Sequence, residues 1–125
     1  MTRANVSVQV VPQYIVKESI PEKKRYVFSY TVTITNDSDM SIQLLSRHWI
    51  ITNGETLKSQ EVRGDGVVGK QPKIEPGSSY TYTSGTVMES PVGTMQGSYR
   101  MIDDQGEYFD TIIHPFTLAV THGVH

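Results

Sequence analysis

Gly64-Asp65-Gly66-Val67-Val68-Gly69 spells G-x-G-x-x-G, the pattern that lets a backbone approach a pyrophosphate at the start of a helix. The helix N-terminus is the anion site in that arrangement, so the pattern needs a helix after it. Lys70-Gln71-Pro72-Lys73-Ile74-Glu75-Pro76-Gly77 follows instead, and its two prolines prevent one. Dinucleotide binding is therefore set aside. Two uses of the segment remain. One is a tight surface loop whose glycines take positive φ. The other is a helix-free nest of backbone N–H groups holding a small anion such as phosphate or pyrophosphate, with Lys70 adding charge. Arg63-Gly64-Asp65 also spells an adhesion tripeptide, but no secretory segment precedes it.

The other chemistry-bearing residues are sparse. Asp103 and Asp104 are adjacent carboxylates in Asp103-Asp104-Gln105-Gly106, with Glu107 next. Glycosidase chemistry needs two carboxyls across a substrate, which adjacent turn residues do not supply. Oxygen ligands of this kind suit Mg²⁺, although Asp and Gly here are first of all turn formers. His48 and His114 sit in strand-like segments, where an ordinary hydrogen-bonded or surface role is expected. His122 and His125 form a terminal pair that makes at best a weak metal site. No G-x-S-x-G elbow and no cysteine occur, which removes a signalled serine or thiol nucleophile, thiolate metal sites and disulfides. The expectation is a chain without catalytic residues, cofactor or metal site.

Charge points the same way. The net charge is −2, whereas a nucleic-acid binder carries a basic excess to meet phosphates. The basic run Lys23-Lys24-Arg25 precedes an apolar strand and reads as its solvated start. Basic residues do not interleave with aromatics, so no base-stacking platform is indicated. The start, Met1-Thr2-Arg3-Ala4-Asn5, leads into alternation and not an apolar export segment, and no apolar run is long enough to insert in a membrane. Cytoplasmic location is the expectation.

The elements that must position these residues are strands. Val6, Val8 and Val10 alternate with Ser7 and Gln9. Tyr26, Phe28, Tyr30, Val32 and Ile34 alternate with Ser29, Thr31, Thr33 and Thr35. A period of two places one set on a core face and the other in water. Asn36-Asp37-Ser38-Asp39 breaks the pattern as a turn. Residues 42–52, with Leu44, Leu45, Trp49, Ile50 and Ile51, read as a central strand whose tryptophan belongs to the core. Asn53-Gly54 signals a hairpin into a polar strand at residues 55–62. Tyr80 and Tyr82 alternate, as do Met95, Tyr99 and Met101. In residues 108–120, Ile112, Phe116, Leu118 and Val120 share one parity. Seven or eight short strands with short connections imply antiparallel pairing. The expected fold is all-β, an immunoglobulin/fibronectin-III-like antiparallel β-sandwich in one domain, residues 1–125. Pro12 and Pro115 fall in the first and last strands and mark open edges or bulges, which favours a sandwich over a closed barrel.

Four blocks resemble one known family. They are Arg25-Tyr26-Val27-Phe28 with Tyr30-Thr31-Val32-Thr33-Ile34; Gln43-Leu44-Leu45-Ser46-Arg47-His48-Trp49 with Thr52-Asn53-Gly54; Gly64 through Pro72 with Ile74, Pro76-Gly77, Tyr80, Tyr82 and Thr83-Ser84-Gly85; and Gly93-Thr94-Met95-Gln96-Gly97-Ser98-Tyr99 with Met101. In order and over nearly the whole chain, they resemble the ApaG family. The resemblance implies a fibronectin-III-type sandwich, small stand-alone bacterial proteins, and an association with cobalt tolerance and magnesium efflux. It also implies protein binding, the role proposed for related domains in eukaryotic F-box proteins and in a DNA-polymerase-interacting protein. No catalytic residues carry over.

The functional expectation is a non-catalytic protein-interaction module with an unknown protein partner. Its contact loop would be Gly64, Asp65, Gly66, Val67, Val68, Gly69, Lys70, Gln71 and Pro72, with Val67 and Val68 exposed. Small-anion binding at the same loop and weak divalent-metal binding are the alternatives. Free strand edges also offer a route to homo-oligomers.

Overall fold

The computed structural model describes residues 5–120. Eight strands follow in chain order: β1 (Val6–Tyr14), β2 (Tyr26–Asn36), β3 (Ile42–Asn53), β4 (Ser59–Asp65), β5 (Lys73–Ile74), β6 (Ser79–Met88), β7 (Val92–Asp103) and β8 (Tyr108–Ala119). One sheet has the order β1-β2-β6; the other has the order β4-β3-β7-β8, with β5 beside β3. All ladders are antiparallel. This is the expected sandwich, and the first and last strands lie at sheet edges as expected. The helical content of the described residues is two single 3₁₀ turns, Val16–Glu18 and Pro21–Lys23, between β1 and β2.

Alternation in β2 builds the core directly. Phe28, Tyr30, Val32 and Ile34 are buried, and Thr31, Thr33 and Thr35 point outward. Their hydroxyls meet those of Thr83, Thr81 and Ser79 across the ladder at 2.9, 3.2 and 2.9 Å. Across the sandwich, Trp49 packs edge-on against Tyr30, Tyr99 and Phe116. The hydroxyl groups of Tyr82 and Tyr99 are hydrogen-bonded to each other in the core, tying one sheet to the other. Asn36, fully buried, closes β2: its Nδ2 donates to the Met40 and Ile74 carbonyls at 2.7 and 2.9 Å.

Three sequence expectations are corrected. Ile112 does not share the core parity of Phe116 and Leu118: it is 58% exposed and Ile113 is buried. Phe116 pairs with Met95 and Ile113 with Gly97, so two residues of β8, His114 and Pro115, span one of β7. Pro115 has no N–H for the ladder, and the bulge formed there shifts every preceding side chain to the other face. Second, Asn53-Gly54 is not a two-residue hairpin turn. The Gly54 N–H is donated to the Val92 carbonyl, and the Asn53 side chain accepts from Glu55 and Thr56 N–H groups. The connection therefore widens, and β4 begins at Ser59 rather than residue 55. Third, Lys73–Ile74 is a short strand where only loop was read, because buried Ile74 pairs with Ile42.

Candidate functional site

The 64–72 loop is built on an irregularity in β3. Leu44 pairs with Met101 and Ser46 with Arg100, so Leu45 is an extra residue. A bulge of this kind re-aims the residues after it. Its first effect is that the Leu45 carbonyl accepts from both the Gly66 N–H at 2.8 Å and the Gln71 Nε2 at 2.9 Å. Its second is that Arg47 acquires the inward parity of Trp49 and Ile51. Arg47 Nη1 donates to the carbonyls of Asp65 at 3.0 Å and Gly66 at 2.9 Å, clamping the loop's first limb. The Leu44 N–H donates to the Pro72 carbonyl at 3.0 Å and fixes the second limb.

Two glycines have specific reasons. Gly64 lies on the Arg47 guanidinium, where a Cβ would sit 2.8 Å from Cζ. Gly66 has φ +64°, and a Cβ there would overlap the Lys70 carbonyl. Neither role involves a phosphate. No helix follows: the chain passes through Pro72 into β5.

The tip is a two-residue turn. Val67 N–H donates to the Lys70 carbonyl at 2.8 Å, and Lys70 N–H to the Val67 carbonyl at 3.0 Å. Val68 has φ +48° and Gly69 φ +76°. Positive φ at both central residues is the type I′ geometry, for which Asn-Gly is the favoured pair. A β-branched residue in the left-handed region is an outlier, disfavoured by about 1–2 kcal/mol. The valine pair expected to be exposed is split. Val67 is buried at 1% exposure because Gly66 turns it into the core, whereas Val68 stands out at 62%. The N–H groups of Gly66, Val67 and Lys70 are all donated within the fold, so an anion nest at the loop would have to do without them.

Beside the tip, a cleft of about 340 Å³ separates the loop from β6, with Tyr30, Arg47, Trp49, Tyr82, Thr83 and Ser84 in its lining. Burial holds the Tyr82 and Tyr99 hydroxyls well above the ordinary tyrosine range. The cleft thus offers neutral hydroxyls, a guanidinium already engaged with carbonyls, and an apolar tip.

Behind the loop, the outer face of the larger sheet carries paired charges. His48 Nε2 and Glu61 Oε1 are 2.6 Å apart, Arg63 reaches Glu61 at 3.3 Å, and Arg100 reaches Asp110 at 3.5 Å. The hydrogen bond from His48, then the charge of Arg63, lowers the Glu61 carboxyl. His114 is exposed, and His122 and His125 lie outside the described residues. Asp103 Oδ1 accepts from the N–H groups of Gln105 and Glu107 at 2.9 and 3.0 Å, and Asp104 Oδ2 from Ser41 at 3.3 Å. Among the described residues no cluster of three His, Asp or Glu side chains is placed to hold a metal ion, and no helix is long and apolar enough to cross a membrane. Sequence reasoning missed Arg47. The available signal was the adjacent Leu44-Leu45 pair before Trp49, which breaks alternation and marks the bulge.

The fold and loop define a class: an antiparallel sandwich with a clamped, apolar-tipped glycine loop on one open side. The family model described as the ApaG domain matches residues 16–103, and the chain belongs to the ApaG family. It is 54% identical to Protein ApaG of Ectopseudomonas mendocina and 51% identical to Protein ApaG of Pseudomonas putida, each over 98% of this chain and 97% of the relative. Among solved structures, an ApaA protein from Bordetella pertussis superposes with a TM-score of 0.92 at 45% identity, covering 96% of this chain and 97% of the other.

Proposed function

We propose that this chain is a non-catalytic protein-interaction module and that the 64–72 loop is its contact point. One observation carries the reading: Val68 is held in a left-handed conformation that disfavours it, and it projects into solvent. Asn or Gly would fit the turn without that strain. Strain retained at an exposed tip indicates a use for the side chain, and an exposed branched apolar group is suited to a partner's pocket. The clamp by Arg47, Gln71 and the Leu45 carbonyl presents it rigidly, which limits the ordering lost on binding. On this reading the module works in the cytoplasm. Any link to cobalt tolerance or magnesium efflux then passes through the bound partner, since Asp103 is committed to its turn and Asp104 to the Ser41 N–H.

The test is capture from native lysate by wild type, Val68→Asp and Val68→Asn. Val67 is unsuitable for substitution because it is core. Loss of the same captured protein with both variants, each folded by circular dichroism, is the expected result. An unchanged capture profile removes the loop from the account.

A further inference from the structure

We propose that β6 is a self-association edge, pairing antiparallel with β6 of a second copy about a twofold axis to join two three-stranded sheets into one of six strands. The proposal goes beyond the loop reading and does not depend on it. It rests on a comparison of the edges. An unpaired strand edge exposes backbone N–H and C=O groups to any passing strand, and proteins blunt such edges with charge, proline, bulges, brevity or cover. Four strands longer than two residues end the sheets, and three are blunted. β1 contains Pro12 and lies against β8. β8 carries Asp110 and the bulge at Pro115. β4 is short and bears Glu61, Arg63 and Asp65, all exposed.

β6 has none of these devices. Its ten residues, Ser-Tyr-Thr-Tyr-Thr-Ser-Gly-Thr-Val-Met, contain no charge and no proline. Its register with β2 runs from Ser79 to Met88 without a bulge. No loop or turn of the described residues donates a backbone hydrogen bond to it or accepts one from it. It is not covered by β4 either: cavities of about 340 Å³ each separate it from the β3–β4 side at both ends.

The occupant is a second copy because the surface is complementary to itself. About a twofold axis, antiparallel β6 strands place uncharged residues opposite uncharged residues in any register, so no like charges meet. The neutrality extends beyond the edge. The outward positions of β1, β2 and β6 are Ser7, Gln9, Val11, Gln13, Val27, Ser29, Thr31, Thr33, Thr35, Ser79, Thr81, Thr83, Gly85 and Val87, none of them charged. Depletion of charge is an interface signature. A ten-residue edge is about 33 Å long and buries roughly 500 Å² per copy, near the lower limit for a specific interface, so association in the micromolar range is expected.

The test is sedimentation velocity of the full chain from low micromolar to near-millimolar concentration, with amide exchange measured at both extremes. The expected result is a monomer–dimer equilibrium with exchange slowed by concentration in β6, weakened by about two- to fivefold in Thr83→Lys. Arg63→Thr on the β4 edge should associate as wild type does. A wild type that stays monomeric throughout, or protection that rises in β4 or β8 instead of β6, overturns the proposal. A folded Thr83→Lys that dimerises as tightly as wild type also overturns it. The exchange map needs no variant, so it decides the matter if Thr83→Lys fails to fold.

Discussion

Along the β1–β8 side of the sandwich the inward positions are Val6, Val8, Val10, Pro12 and Tyr14 on one strand and Phe109, Thr111, Ile113, Phe116 and Leu118 on the other, mostly apolar, and the strands lie together. Along the β4–β6 side the inward positions are Gln60, Val62 and Gly64 on β4, and Tyr80, Tyr82, Ser84, Thr86 and Met88 on β6. Cavities separate the strands there. The first side closes because apolar side chains gain by leaving water together, each fully buried one by about 1.5–3 kcal/mol. The second stays open where Gln60, Gly64, Ser84 and Thr86 lie, since these have little to gain and the polar ones would need hydrogen-bond partners if buried, while Tyr80, Tyr82 and Met88 still pack on the core. One fold therefore carries a closed seam that stabilises it and an open seam, on which the proposed recognition would take place. The loop tip at Val68 and the bare edge of β6 both belong to the second.

The comparison breaks most readily at Leu118. Leu118→Ala on the closed side should lower unfolding free energy by about 3 kcal/mol, while Ser84→Ala on the open side should stay within about 0.5 kcal/mol. Urea denaturation measures both, and comparable losses would erase the distinction between the seams.

The Tyr82–Tyr99 pair sits where the open side meets the core, and it sharpens the contrast. Tyr82→Phe leaves the buried Tyr99 hydroxyl without its partner and should cost about 1–3 kcal/mol, with the double phenylalanine variant less affected than either single one. Burial raises both hydroxyls above the ordinary value, so the fold favours their protonated forms. Their contribution is fully present below about pH 10 and is lost as pH rises beyond it. Alkaline unfolding should therefore shift to higher pH in the double variant. An unchanged alkaline midpoint would count against this origin.

The smallest effect has the opposite sign. Val68→Asn relieves the left-handed strain and should raise stability by about 1 kcal/mol in thermal or urea unfolding. A neutral or destabilised variant would mean that Val68 is supported by contacts and not strained.

Much of the core was legible in residue order. In β2 strict alternation named the buried set, because one flat strand with one wet face obeys a period of two. Where that period slips, the reading failed. Ile112 was placed inward because Pro115 marks an edge or a bulge without saying which, and only the pairing with β7 shows that His114 and Pro115 together oppose one residue. Arg47 was overlooked because its side depends on the extra residue at Leu45. The glycine loop was identifiable as a loop from its prolines, but the burial of Val67 and the exposure of Val68 follow from contacts with β3, a distant partner in the chain.

The G-x-G-x-x-G segment shows where the division falls. Residue order by itself determined that no helix follows Gly69, since Pro72 and Pro76 forbid one through covalent geometry. It also determined an all-β chain, since alternation is a local property. Tertiary structure decided what each glycine is for: Gly64 makes room for Arg47, Gly66 turns the chain past the Lys70 carbonyl, and Gly69 completes the tip. It also decided which edges are blunted and which seam stays open. Those outcomes depend on pairing between strands far apart in sequence, where a single bulge changes the face on which every neighbouring side chain appears.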